Sequence, residues 1–276
     1  MDPARARDDR KVMDIEIIVL VKQVPLTGEV EVDPETGNLQ REGVASQTNP
    51  YDLHALEAAL AIREAHGGHV TALSMGPPQA ETTLREAFSL GVDRGILLSD
   101  SAFAGADTLA TAYTLARALQ KLPHDLILAG MQTTDGDTAQ VGPGVAEFLG
   151  IPHASYVDRV VAVTDGAIRA VVDAGEREQL LELDLPALLT VTREANGPRL
   201  PSFKLRLATA DREIETWTRE DLAGDGDGAF FGLDGSPTWV ERIFPPPANP
   251  ERETWRGEPR ELAARLMAKL EEWRYL

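Results

Sequence analysis

Apolar runs of strand length alternate with helical periodicities through the first 165 residues. Residues 15–24 read as a buried strand, because a parallel strand covered on both faces shows a continuous apolar run. Residues 29–41 read as a hairpin, with Asp33-Pro34 and Gly37-Asn38 as turn signals. Asn49-Pro50 then opens a helix: Asn can cap free amides, and Pro at the first helical position lacks an N–H that has no partner there anyway. Leu53, Leu56 and Leu60 supply its apolar stripe, and Gly67-Gly68 ends it.

The alternation continues with strands at 69–75, 95–99, 125–130 and 155–163 and helices at 79–90, 107–122 and 138–149. Short links between strands and helices imply parallel strands joined by right-handed crossovers. The expected fold is therefore α/β, a doubly wound, mostly parallel, Rossmann-like sheet. Ligands bind such sheets at the carboxyl ends of the strands, where strand order reverses. After Val163 the pattern changes. Residues 164–191 look like antiparallel hairpin strands added to the sheet. Residues 209–221 are polar and charged, and 224–228 form a Gly-Asp link. Pro245 to Pro247 and Pro250 make a stiff stretch, and 259–276 is an amphipathic helix with Leu262, Leu266, Leu270 and Trp273 on one side. Three of the four tryptophans, Trp239, Trp255 and Trp273, lie in this tail, which suggests an arm for a partner.

Composition narrows the function classes. The 276 residues carry 27 Lys and Arg against 45 Asp and Glu, a formal charge of −18, which disfavours nucleic acid and anionic membrane as partners. No cysteine is present, so disulfides, Cys-ligated metal sites and a cysteine nucleophile are excluded. No apolar run is long enough to span a bilayer, and the cytoplasm is the expected compartment. The five histidines form no cluster, and no metal site is expected. No serine occupies a nucleophile elbow and no acid/base dyad stands out, so any chemistry belongs to a cofactor.

The most informative segment is Gly130-Met-Gln-Thr-Thr-Asp-Gly-Asp-Thr-Ala-Gln-Val-Gly-Pro143, which follows a strand and opens a helix. Gly130 and Gly136 permit tight turns, and Asp137 or Thr138 can cap the helix. The amides from Thr138 to Val141 then point at the crevice and fit a phosphate; a capped helix without ligand is the plainer alternative. The two aspartates suit such a site only if they cap amides or meet ribose hydroxyls. The segment is neither a Walker A loop nor a GxGxxG fingerprint. Gln47-Thr48-Asn49-Pro50-Tyr51-Asp52 brings a second helix start to the same edge, where Tyr51 and Asp52 can touch base or ribose. Lys22-Gln23 reads by itself as a solvated strand end, and the backbone at Ser74-Met75-Gly76 can meet an adenine edge.

Several of these segments, taken in order, resemble the β subunit of electron-transfer flavoproteins. The likeness is carried by Ile17-Ile-Val-Leu-Val-Lys-Gln-Val-Pro25, Asn49-Pro50-Tyr51-Asp52, Ser74-Met75-Gly76-Pro77, Gly91-Val-Asp-Arg-Gly95 and the segment from Gly130 to Pro143. It continues through Leu185-Pro-Ala-Leu-Leu-Thr-Val191, Asn196-Gly-Pro-Arg199 and Gly235-Ser-Pro-Thr238. The resemblance implies a nucleotide-binding subunit that pairs with an α subunit carrying the electron-transferring FAD. The β subunit holds AMP in the ordinary family and a second FAD in the electron-bifurcating branch. Matched position gives a cofactor site of Leu20, Asn49, Pro50, Tyr51, Asp52, Met75, Gly130, Gln132, Thr134, Asp135, Gly136, Asp137, Thr138, Ala139, Gln140 and Val141. The Asp-Gly-Asp form is similar to bifurcating and nitrogen-fixation-linked members, so FAD is the expected occupant, with AMP as the alternative. NAD(H) would then be a substrate of the heterodimer.

The resemblance also divides the chain into an extension (1–12), a nucleotide-binding α/β domain (13–235) and an arm with an amphipathic helix (236–276) for the α subunit. Phe203 takes the apolar position for docking a dehydrogenase, while Trp255 and Trp273 are expected against the α subunit. Two positions depart from the family. Val172 stands where an Arg is usual, and the docking segment 200–211 keeps only Lys204 and Arg206 of a commonly Lys-rich loop. Two rivals share the sheet: a universal-stress-type nucleotide sensor without redox chemistry, and an adenylating hydrolase. The first class is shorter, and residues 24–28 are a poor pyrophosphate loop for the second.

Overall fold

The computed structural model describes residues 13–26, 45–222, 224, 227–241 and 252–276. The expected hairpin at 29–41, the extension at 1–12 and the proline stretch at 245–250 lie outside the described residues. The chain runs β1 (Ile15–Val21), β2 (Gln23–Pro25), β3 (Ser46–Thr48), α1 (Pro50–His66), β4 (Gly68–Met75), α2 (Glu81–Leu90), β5 (Arg94–Leu98), α3 (Thr108–Leu119), β6 (Leu126–Gly130) and α4 (Val141–Leu149). It continues through β7 (His153–Val163), β8 (Ala167–Asp173), β9 (Glu178–Asp184), β10 (Ala187–Val191), α5 (Phe203–Ala208), β11 (Glu215–Trp217), α6 (Arg219–Leu222) and α7 (Pro259–Glu272).

Among the described residues nine strands form one sheet in the order β11-β5-β4-β1-β6-β10-β7-β8-β9, and β2 and β3 pair apart from it. Seven strands are parallel; β8 and β9 close one edge as an antiparallel hairpin. The sheet is apolar on both faces because β1 alternates two buried sets. Ile15, Ile17, Val19 and Val21 face a core with α1 and α2, while Ile18 and Leu20 face a second core with α3 and α4. The order reverses between β1 and β6: the chain leaves β1 for β4 and β5 on one side and returns to β6 on the other. The crevice at the carboxyl ends of β1 and β6 is thus the topological switch point.

Two expectations are corrected here and one strand is added. Residues 187–191 are not a hairpin strand: β10 lies inside the parallel sheet, between β6 and β7. The long β7 makes this possible, pairing with β10 through its first half and with β8 through its second. Residues 215–217, inside the polar and charged stretch 209–221 where no strand is expected, form the opposite edge strand, pinned where Arg94 forks onto Glu215 at 2.7 Å. The helix expected from 138 begins at Val141.

Candidate functional site

The switch point is built by three close approaches. The Asn49 N–H donates to the Lys22 carbonyl (2.8 Å), and the Lys22 N–H donates to Asp52 Oδ2 (2.7 Å), locking the start of α1 to the end of β1. Gly130 ends β6 directly against this joint. A Cβ there would sit 2.4 Å from Asp52 Oδ1 and 2.7 Å from Tyr51 Cβ, so only glycine fits. Gly142 does the same for α4, where a Cβ would meet Thr190 Cγ2 at 2.5 Å.

Asn49 is fully buried and does not cap its own helix, against the sequence expectation. Its Nδ2 donates to Asp52 Oδ1 (2.8 Å) and to the Gln132 carbonyl (2.9 Å), and its Oδ1 accepts the Thr134 N–H (3.3 Å). Pro50 removes one amide of the first turn and the Asn49 carbonyl accepts the Asp52 N–H, which frees the Asn49 side chain to hold the loop after β6. Asp52 is 4% exposed. Burial pushes its carboxyl up to about 7, against the pull of the Asn49, Lys22 and Gly130 N–H groups.

Residues 131–140 arch over this joint. Lys22 Nζ reaches both Asp135 oxygens at 2.8 Å, so Lys22 is not a merely solvated strand end. Burial raises the Asp135 carboxyl, but the Lys22 ammonium outweighs it and holds the group below the usual range. Asp137 accepts from Gln132 Nε2, and its own N–H donates to the Thr133 carbonyl. Neither Asp137 nor Thr138 caps α4: the residue before the helix is Gln140, without a side-chain cap. Asp137 and Ala139 instead take left-handed backbone (φ 53° and 54°), with right-handed Gln140 next to Ala139. Alternating hands turn successive N–H groups to one side, a nest suited to an anion. Among the described residues no acceptor takes the N–H groups of Thr138, Ala139, Gln140, Val141 and Gly142. Gly136 is exposed, and a Cβ there would meet only Thr133 Oγ1, at 3.4 Å.

The structure thus joins Asn49, Asp52, Gly130, Gln132, Thr134, Asp135 and Asp137 in one cluster, with Pro50 and Tyr51 on the same helix turn and Gly136 and Thr138 to Val141 following on the loop. Leu20 lies beneath, its side chain in the second core. Met75 ends β4 on the far side of β1, and the neighbouring Gly76 N–H is already taken by the Leu98 carbonyl. Sequence reasoning missed Lys22 and Arg193, whose guanidinium lies over the Tyr51 ring (5.6 Å) and donates to its hydroxyl. A lone cation at a strand end facing an acidic loop was the available signal for Lys22.

Phe203, Trp255 and Trp273 stand outside the cluster. Arg193, Asn196 and Arg199 step along α1 onto Tyr51, His54 and Glu57. Arg199 holds both Glu57 (2.8 Å) and Glu64 (2.6 Å), and the chain then turns outward. Phe203, the first residue of α5, is 75% exposed, and Leu200 and Leu207 on either side of it in sequence are exposed as well. Trp255, with Arg265 over its ring, and Trp273 flank a groove of about 740 Å³ with Leu262 and Leu266, and α7 buries no residue. Ser236 and Thr238, at the start of this arm, bond to Asp107 at the start of α3.

A sequence profile described as the electron transfer flavoprotein domain matches residues 36–222. The chain belongs to the electron transfer flavoprotein family. It is similar to the electron transfer flavoprotein subunit beta of Clostridium acetobutylicum, 45% identical over 94% of this chain and 99% of that one. Protein FixA of Azorhizobium caulinodans is 46% identical over 86% and 87%, and subunit CarD of the caffeyl-CoA reductase-Etf complex of Acetobacterium woodii is 44% identical over 93% and 98%. Membership in the electron transfer flavoprotein family sets aside both the stress-type sensor and the adenylating hydrolase. Among the described residues no helix is long and apolar enough to cross a membrane.

Proposed function

We propose that the chain is the β subunit of an electron-transfer flavoprotein and holds FAD at the switch point, with AMP as the alternative occupant. One observation carries the reading: among the described residues, no acceptor takes the five consecutive amides of residues 138–142, at the nest where β6 passes into α4. Those amides would hold a diphosphate, while Tyr51 and the loop carbonyls flank the nucleoside. The Asp135-Gly136-Asp137 form of the loop, similar to that of bifurcating and nitrogen-fixation-linked members, favours the larger occupant. A bound flavin supplies one- and two-electron chemistry; the protein's own groups bind, orient and shield it. In this reading the residues around the switch point position and tune the cofactor rather than attack a substrate.

The relatives named as subunits of larger assemblies support an α subunit as the obligate partner. The groove between Trp255 and Trp273 supplies an apolar, Trp-lined face for that subunit, and Phe203 with Leu200 and Leu207 offers a second for a dehydrogenase. Electrons would pass between that dehydrogenase and an acceptor, by bifurcation from NADH if the β site holds flavin, in the cytoplasm. The test is to co-purify the heterodimer, denature it and quantify released nucleotide. About two FAD per heterodimer and no AMP support this reading. Equal FAD and AMP would make it a single-flavin shuttle, and neither nucleotide would overturn it.

A further inference from the structure

The amide nest at 138–142 lies beside two carboxylates, in a chain of net charge −18. An anionic phosphate brought there meets Asp135 and Asp137 within a few residues. Among the described residues Asp137 accepts from the neutral amide of Gln132, and no cation pairs with it. Asp135 is different: both its oxygens lie 2.8 Å from Lys22 Nζ. Lys22 is well anchored for the task. Its N–H is bonded to Asp52 and its carbonyl accepts from Asn49, so its backbone belongs to the rigid joint of β1 and α1. Its side chain crosses from that joint to the loop after β6, half-buried, where water screens the pair incompletely.

We propose that Lys22 is a positioning residue of the nucleotide site, cancelling the charge of Asp135 so that the amides of residues 138–142 can accept an anionic phosphate. The inference rests on the reading that an adenine nucleotide binds at this nest. Paired to Lys22, the carboxylate ties the loop across the switch point; unpaired, it repels the ligand the loop is shaped to hold. A latch of purely mechanical value would be damaged equally by losing either partner. A charge-cancelling pair would not.

The experiment is titration calorimetry of AMP, and separately of uncharged adenosine, into heterodimer stripped of nucleotide. Lys22→Met leaves a bare carboxylate near the phosphate and is expected to weaken AMP binding about tenfold, with adenosine changed less than about twofold. The AMP defect should shrink as salt is raised, because repulsion is screened. Asp135→Asn leaves an unpaired ammonium and should bind AMP at least as tightly as the parent. The double variant restores neutrality and should return to within about threefold of the parent. Equal loss of AMP binding in both single variants and the double variant would overturn the proposal in favour of a mechanical latch, as would parallel losses for adenosine. Binding of neither AMP nor FAD by the parent heterodimer would overturn the nucleotide reading itself, and the role of Lys22 with it.

Discussion

Replacing Asp52 by Asn should remove a pH dependence from the stability of the protein. Asp52 is buried where β1, α1 and β6 meet, and its carboxyl is pushed up to about 7, against 3.8 for an ordinary aspartate. Between those values the folded protein holds a proton that the unfolded chain has released. Stability from this group is therefore full below about pH 4, falls as pH rises towards 7, and is flat above. The gap corresponds to roughly 4 kcal/mol over the whole range, of which about 2–3 kcal/mol falls between pH 5 and pH 8. Asn has the same shape and no titrating proton. It also places an NH2 where an oxygen accepted N–H groups, a penalty of about 1–3 kcal/mol that does not vary with pH. Urea unfolding of parent and variant at pH 5, 6, 7 and 8 isolates the Asp52 contribution, since all other groups are shared. The parent's advantage over Asp52→Asn should shrink by about 2–3 kcal/mol from pH 5 to pH 8. A constant difference, or one that grows with pH, would refute the reasoning. It would mean that the N–H donors from Asn49, Lys22 and Gly130 outweigh desolvation and keep the carboxylate charged.

Other outcomes follow from the same geometry. Gly130→Ala forces a Cβ into Asp52 and Tyr51 and should cost about 3 kcal/mol or more in thermal or urea unfolding, while Gly136→Ala, whose Cβ would make only an ordinary 3.4 Å contact with Thr133 Oγ1, should change stability by less than about 0.5 kcal/mol. Arg199→Met leaves Glu57 and Glu64 facing each other without their shared cation. It should cost about 1–2 kcal/mol and speed proteolysis within residues 200–208, measured by limited digestion and mass spectrometry. Trp255→Ala with Trp273→Ala should weaken heterodimer association at least about tenfold by analytical ultracentrifugation, with the isolated chain's unfolding unchanged, because α7 buries nothing on its own body.

Much of this protein was legible before any contact was known. The apolar run of β1, interrupted only by Glu16 near its start, determined that it would be covered on both faces, and the strand–helix rhythm up to β7 determined parallel pairing with crossovers. The glycines and the polar residues after β6 marked the loop that arches over the switch point. These features follow from local period and backbone freedom, which a chain carries in its own residue order.

Three things came only with tertiary structure. The apolar residues of β10 read as well for a hairpin as for a central parallel strand, because periodicity specifies which faces are buried and not which strand lies alongside. Asn49 holds the loop after β6, 83 residues ahead of it, instead of its own helix. Lys22 meets Asp135 across 113 residues. Hydrogen bonds and ion pairs are decided by which ends the crossovers bring together at the sheet edge, and no local pattern in the chain records that meeting.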